Sequence, residues 1–110
     1  MALFDTVTMM QFVDKEKLLK IRTKGNFGLE LLKFEAMTAT KVPGTLEIAM
    51  KYMKHEHELM RNAAVESLGV LGKQRDLDFL SDLAMDSSRR DSFGPGKIIK
   101  AIDEIKRRLG

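Results

Sequence analysis

Residues 54–58 read Lys-His-Glu-His-Glu, the densest run of potential metal ligands in a chain of 110 residues with two His and no Cys. Imidazole and carboxylate together suit Zn, Fe or Ni. The spacing opposes shared ligation, because side chains two apart on a helix point to nearly opposite sides and a helical metal pair needs three or four. A loop would bring the rings together, but the sequence supplies no third ligand cluster, and no metal is assigned. Gly94-Pro95-Gly96-Lys97 stands before an apolar-periodic stretch, and helix N-termini attract anions. It lacks the Walker A spacing and no strand precedes it, so it reads as a turn. Arg89-Arg90-Asp91-Ser92 fits a basophilic kinase site only as a short pattern. Lys97, Lys100, Lys106, Arg107 and Arg108 make the last stretch basic, with Asp103 and Glu104 among them. A solvated helix face is the simpler reading of that stretch, and a phosphate-tracking face is its rival. No Ser, His and acid set can be assigned to nucleophilic catalysis. The chain reads as non-enzymatic and without a cofactor.

The elements that must position these residues are helices. Met60 to Gly72 is the strongest. At about 100° per residue, Met60, Ala64, Ser67, Leu68 and Leu71 share one face. Val65 flanks it on one side, Ala63 and Val70 on the other. Apolar and small residues thus cover more than half the circumference, wider than the stripe of a surface helix. Asn62, Glu66, Gly69 and Lys73 are left for water. The order of Arg61, the small pair Ala63-Ala64, Leu68-Gly69 and Leu71-Gly72 resembles the second helix of a HEAT-type repeat, closest to the short HEAT-like repeats also found in phycobilin lyases. The resemblance implies a stack of helix pairs that works as an interaction surface.

Weaker copies surround it. Asp14 caps a helix from Lys15 to about Thr23, which Lys24-Gly25-Asn26 stops. A second helix runs from about Gly28 to Lys41, where Pro43-Gly44 breaks it. Thr45 caps a third helix from Leu46 to about Lys54, the fourth runs from about His57 to Leu71, and Gly72 ends it. A fifth spans about Asp76 to Met85. A polar loop from Asp86 to Pro95 follows, and a last helix covers about Lys97 to Leu109. Three pairs repeat at roughly thirty residues, in the solenoid range. In this alignment Lys33 matches Arg61, and Ala36 matches Ala64.

The expected fold is therefore all-α, a right-handed α-solenoid of about three HEAT-like pairs in one domain. Residues 1–13 form an arm or extra helix, residues 14–42 the first repeat, and residues 45–72 with 75–110 the rest of the stack. Asp103 and Lys106 make one flank of the last helix polar, so the stack is expected to end there. Two HEAT-like enzyme families do not fit. The di-iron deoxyhypusine hydroxylases place a His-Glu pair just after the repeat's Arg, where this chain has Asn62 and Ala63. The alkylpurine DNA glycosylases use a phosphate-tracking face, and here no base-excision pocket or aromatic interleaving is evident.

Hydrophobic content of 44% with 32% charged residues suits a folded protein, and the formal charge of +3 is too small to argue for nucleic acid alone. Without Cys there is no disulfide framework, zinc-thiolate site or thiol catalysis. No apolar run has the length of a membrane span and no secretory signal opens the chain, so cytoplasmic residence is the default. The expected function is a protein-binding or scaffold module, as a monomer or small homo-oligomer whose partner is another protein. Its working surface would be the ridge of second helices: Phe34, Thr38 and Lys41, then Asn62, Glu66 and Lys73, then Lys100, Glu104 and Arg107. Phe34 lies where Asn62 and Lys100 stand in the other repeats, so it is either covered by the N-terminal segment, since Phe4, Met10 and Phe12 also need a place, or offered to a partner as its anchor. The alternatives are nucleic-acid binding through the basic last helix and an accessory lyase-like role on a chromophore.

Overall fold

The structure is a computed structural model that describes residues 15–110. Asp14 as a cap, the arm over residues 1–13 and the expected burial of Phe4, Met10 and Phe12 lie outside the described residues. Among the described residues there are seven helices and no strand. They are α1 (Lys15–Lys20), α2 (Phe27–Ala39), α3 (Thr45–Tyr52), α4 (Glu58–Leu71), α5 (Gln74–Met85), α6 (Ser87–Arg90) and α7 (Lys97–Leu109). The chain divides after Thr45 into two compact units.

In the first unit α1 stops at Lys20, three residues before its expected end, and α2 starts one turn of chain later. Asn26 is part of the next start rather than of the stop: its side-chain oxygen accepts the Leu29 N–H at 3.0 Å. Helix α2 ends at Ala39, not Lys41. The Lys41 N–H donates to the Thr38 carbonyl and the Val42 N–H to the Met37 carbonyl, a Schellman closure that puts Lys41 at φ +55°. A left-handed Lys costs of order 1–2 kcal/mol relative to Gly, a cost the burial of Val42 beside it helps to offset. Thr45 is the first residue of α3 rather than its cap, and its hydroxyl donates to the Val42 carbonyl at 2.6 Å.

The second unit is built around α4, with α7 packed along it and α5 packed against α7. Met60, Leu68, Leu80 and Ile105 are wholly buried and Leu83 is nearly so. Each such side chain contributes about 1.5–3 kcal/mol on leaving water. On α4 the buried set is Met60, Ala63, Ala64, Val65, Ser67, Leu68 and Gly69. That set gains Gly69 over the sequence reading and leaves out Val70 and Leu71. The exposed residues of α4 are Glu58, Leu59, Glu66 and Val70, so Val70 is exposed where a neighbour was expected. Gly69, assigned to water on sequence grounds, instead faces α7. A Cβ there would lie 3.0 Å from the Ala101 Cα, which is the reason a side chain is missing at that point. Gly72 closes α4 in extended rather than left-handed geometry. It is small because a Cβ would press on the Leu68 carbonyl oxygen and come within 2.9 Å of Ile105.

The stretch from Asp86 to Pro95 is not simply a loop, since it contains the single turn α6. The Asp86 carboxylate starts that turn by accepting from the Ser88 hydroxyl at 2.8 Å and from the Ser88 N–H at 3.1 Å. The hydrogen bond from the Ser88 hydroxyl, followed by the N–H groups of Arg89 and Ser88, holds the Asp86 carboxyl below its ordinary value. The carboxylate's help to α6 is therefore present above the usual carboxylate range and lost as pH falls through that lowered value.

Candidate functional site

Basic side chains do much of the joining in this molecule, and they do so through backbone carbonyls. The Arg61 Nε donates to the Ser92 carbonyl at 2.7 Å, and its Nη1 donates to the carbonyls of His55 at 2.8 Å and Glu56 at 2.9 Å. The next residue, Asn62, accepts the Gly94 N–H at 2.8 Å. One turn further, Glu66 pairs with Lys97 at 2.7 Å. At the far end of α4 the Arg108 guanidinium donates to the carbonyls of Gly69 and Gly72, groups that a helix C-terminus leaves without partners. These ties hold the chain from Ser92 to Arg108 in register along α4.

Holding Ser92 in place shapes a cleft of about 920 Å³ in the second unit. The end of α3, helix α5 and the segment from α6 to Phe93 surround it. Its floor is apolar: Met50, Met53, Phe79, Leu83 and Phe93. Its polar lining is Lys51, Lys54, Arg61, Arg89, His55 and Ser92, with no carboxylate among them. Lys51, Lys54 and Arg89 are exposed. Arg89 lies over the Phe79 ring, 5.9 Å from its centroid, and 4.0 Å from Asp86 across a solvent-exposed gap. Such an exposed pair neutralises little. The arrangement supplies adaptable apolar surface, in which Met is the most deformable component, under a positive rim.

Several residues of the sequence-predicted ridge are buried or engaged within their own unit. Phe34 is 1% exposed, so it is no surface anchor, and of the two readings open to it the covered one holds. Thr38 is half-buried and turns its hydroxyl back onto the Phe34 carbonyl at 3.2 Å. Lys41 is exposed on the Schellman turn, and Lys73 is exposed at the start of α5. Asn62 and Glu66, expected in water for a partner, are occupied with Gly94 and Lys97. Lys100, Glu104 and Arg107 do share one place, a shallow depression on α7 that also involves Ile99 and Asp103.

His55 and His57 fall in the loop before α4 rather than on a helix, and their rings are 5.5 Å apart. The His57 N–H donates to the His55 Nδ1 at 3.0 Å, so that nitrogen is an acceptor within the turn. The described residues contain no group of three or more His, Cys, Asp or Glu placed to share a metal. Their helices include none long and apolar enough to cross a membrane.

Sequence reasoning missed the cleft. A signal was present in Met50-Lys51 and Met53-Lys54, the same pair repeated three residues on, which sets a Met edge beside a Lys edge. Nothing local pointed to Phe79, Leu83, Arg89 and Phe93 as their counterparts.

Comparison with curated proteins and with solved structures gives no match. A family model described as HEAT repeats matches residues 17–92, from α1 through the Ser92 carbonyl that Arg61 holds. That span covers well over half the chain and includes both helix pairs whose Lys33 and Arg61 align. The protein belongs to the HEAT repeat family, with the all-α, solenoid-type architecture of that family.

Proposed function

We propose that the chain is a non-enzymatic protein-interaction module that holds its partner in the cleft beside α3 and α5. HEAT repeats generally mediate contacts between proteins, which supports the class of function. The observation that carries the choice of surface is the cleft floor. Met50 and Phe79 stand partly open under a cationic rim in a cleft of about 920 Å³, whereas the depressions bordered by the exposed Ile99 of α7 are smaller, about 620 and 450 Å³. Phe and Met are among the side chains enriched at protein interfaces. The ridge keeps Lys100, Glu104 and Arg107 as a secondary candidate, with a mixed charge around the exposed Ile99 in a smaller depression.

Site-specific photocrosslinking separates the two surfaces. A photoreactive phenylalanine analogue at position 79 is expected to capture a protein partner in the native cell, and the same group at position 107 is expected to capture none. Capture from 107 with none from 79 would return the binding surface to the ridge.

A further inference from the structure

The chemistry of the cleft says more about its occupant than that it is a protein. We infer that the occupant is an acidic amphipathic segment, with apolar side chains on one face and carboxylates on the other. This inference rests on the reading of the cleft as the binding site. Lys51 and Lys54 form no ion pair with the described residues, and Arg89 has only the distant, exposed Asp86. Arg61 spends its N–H groups on carbonyls, which bind the guanidinium but leave its charge in place. The rim therefore carries a positive field that no lining carboxylate cancels. Like charges on an incoming segment would be repelled there, and carboxylates would be drawn in.

The floor sets the second requirement. It needs apolar groups to fill it, because Met50, Met53 and Leu83 offer neither hydrogen bonds nor stacking planes. Cleft and rim together thus select a segment with two unlike faces, which a helix with apolar residues three and four apart provides. Because the cleft is open on one side, the charged face of such a helix remains at the rim. Single-stranded nucleic acid satisfies the positive rim but not this floor. Base stacking needs free aromatic faces. Here Phe93 is buried and the Phe79 ring already has Arg89 over it.

Fluorescence anisotropy with synthetic probes tests the inference on the full chain. The principal probe is a labelled helical peptide with Leu on one face and Glu on the other. Three controls accompany it: a Leu/Lys peptide, a Ser/Glu peptide and a single-stranded oligothymidine. The Leu/Glu peptide is expected to bind at least about tenfold more tightly than any control, and more weakly as salt rises. The double variant Lys51→Glu with Lys54→Glu, whose changes lie on exposed side chains, is expected to keep the melting temperature and lose about tenfold or more in affinity. Equal binding of the Leu/Lys peptide, the Ser/Glu peptide or the oligothymidine would overturn the inference, as would Leu/Glu binding unchanged by the double variant. Failure of the Leu/Glu peptide alongside capture from position 79 would reject the acidic partner and leave the cleft reading intact. Failure of both would remove the cleft itself.

Discussion

Lys33 in the first unit and Arg61 in the second occupy the same place in their repeats and carry out the same operation with different reach. The Lys33 Nζ donates to the carbonyls of Leu19 at 3.1 Å and Ile21 at 2.9 Å, the end of the helix before its own. Arg61 does the corresponding thing to His55 and Glu56, and its Nε then extends to Ser92, thirty-one residues away in sequence. A compact ammonium serves one cluster of acceptors, while the guanidinium fork serves two at once. The difference teaches what the repeat's Arg adds over a Lys. Both close the turn inside a helix pair, but only Arg61 fastens that pair to the next segment of chain. Ile99, the matching residue of the third pair, is 56% exposed and does neither.

Removing the fork is the strongest way to break this comparison. Arg61→Ala is expected to cost about 2 kcal/mol of stability, since it leaves three carbonyls without a charged donor, and to raise hydrogen exchange from Ser92 to Gly94. Unchanged exchange in that segment would mean that the Asn62 contact alone holds it. Arg61→Lys sharpens the comparison, because it rebuilds the Lys33 arrangement inside the second unit. About 1 kcal/mol should be lost in a denaturant titration, with exchange rising near Ser92 and not near His55. Loss at both places would show that the two clusters are not separable. The smallest effect belongs to Lys33→Ala, about 0.5 kcal/mol, because its bonds are exposed and confined to one turn. A loss larger than that of Arg61→Ala would reverse the ranking.

The parts of this molecule that were legible in its sequence are those fixed by local spacing. Met60, Ala64, Ser67 and Leu68 recur at helical intervals, and their common burial follows from geometry any reader of the chain can lay out. The match of Lys33 with Arg61 was legible too, although not the carbonyls they would meet. Illegible features were those in which two distant segments decide a residue's surroundings. Gly69 looked like a gap in a wet face, and only the arrival of Ala101 makes it an internal contact. Phe34 sits at a position where the other repeats carry Asn62 and Lys100, so the pattern left it either covered or offered to a partner, and its burial decides between them. Asp86-Ser87-Ser88 carried a helix-start signal too short to stand apart from loop composition. The cleft needed three segments to converge, and no periodicity records that.

The ties along α4 also have a consequence for the rate at which the second unit closes. Arg61 to Ser92, Asn62 to Gly94 and Glu66 to Lys97 span nearly constant separations of 31, 32 and 31 residues. Loop-closure entropy falls almost entirely on whichever of them forms first, since each remaining contact then closes a ring of only a few residues. The search is thus one encounter rather than three, with α5 free to coil locally in the meantime. Extra residues inserted between Asp86 and Asp91 would lengthen that encounter only logarithmically, a doubling of the ring costing about 0.6 kcal/mol. Residues inserted between Gly94 and Lys97 would leave the Arg61–Ser92 and Asn62–Gly94 rings unchanged and put only the Glu66–Lys97 contact out of register.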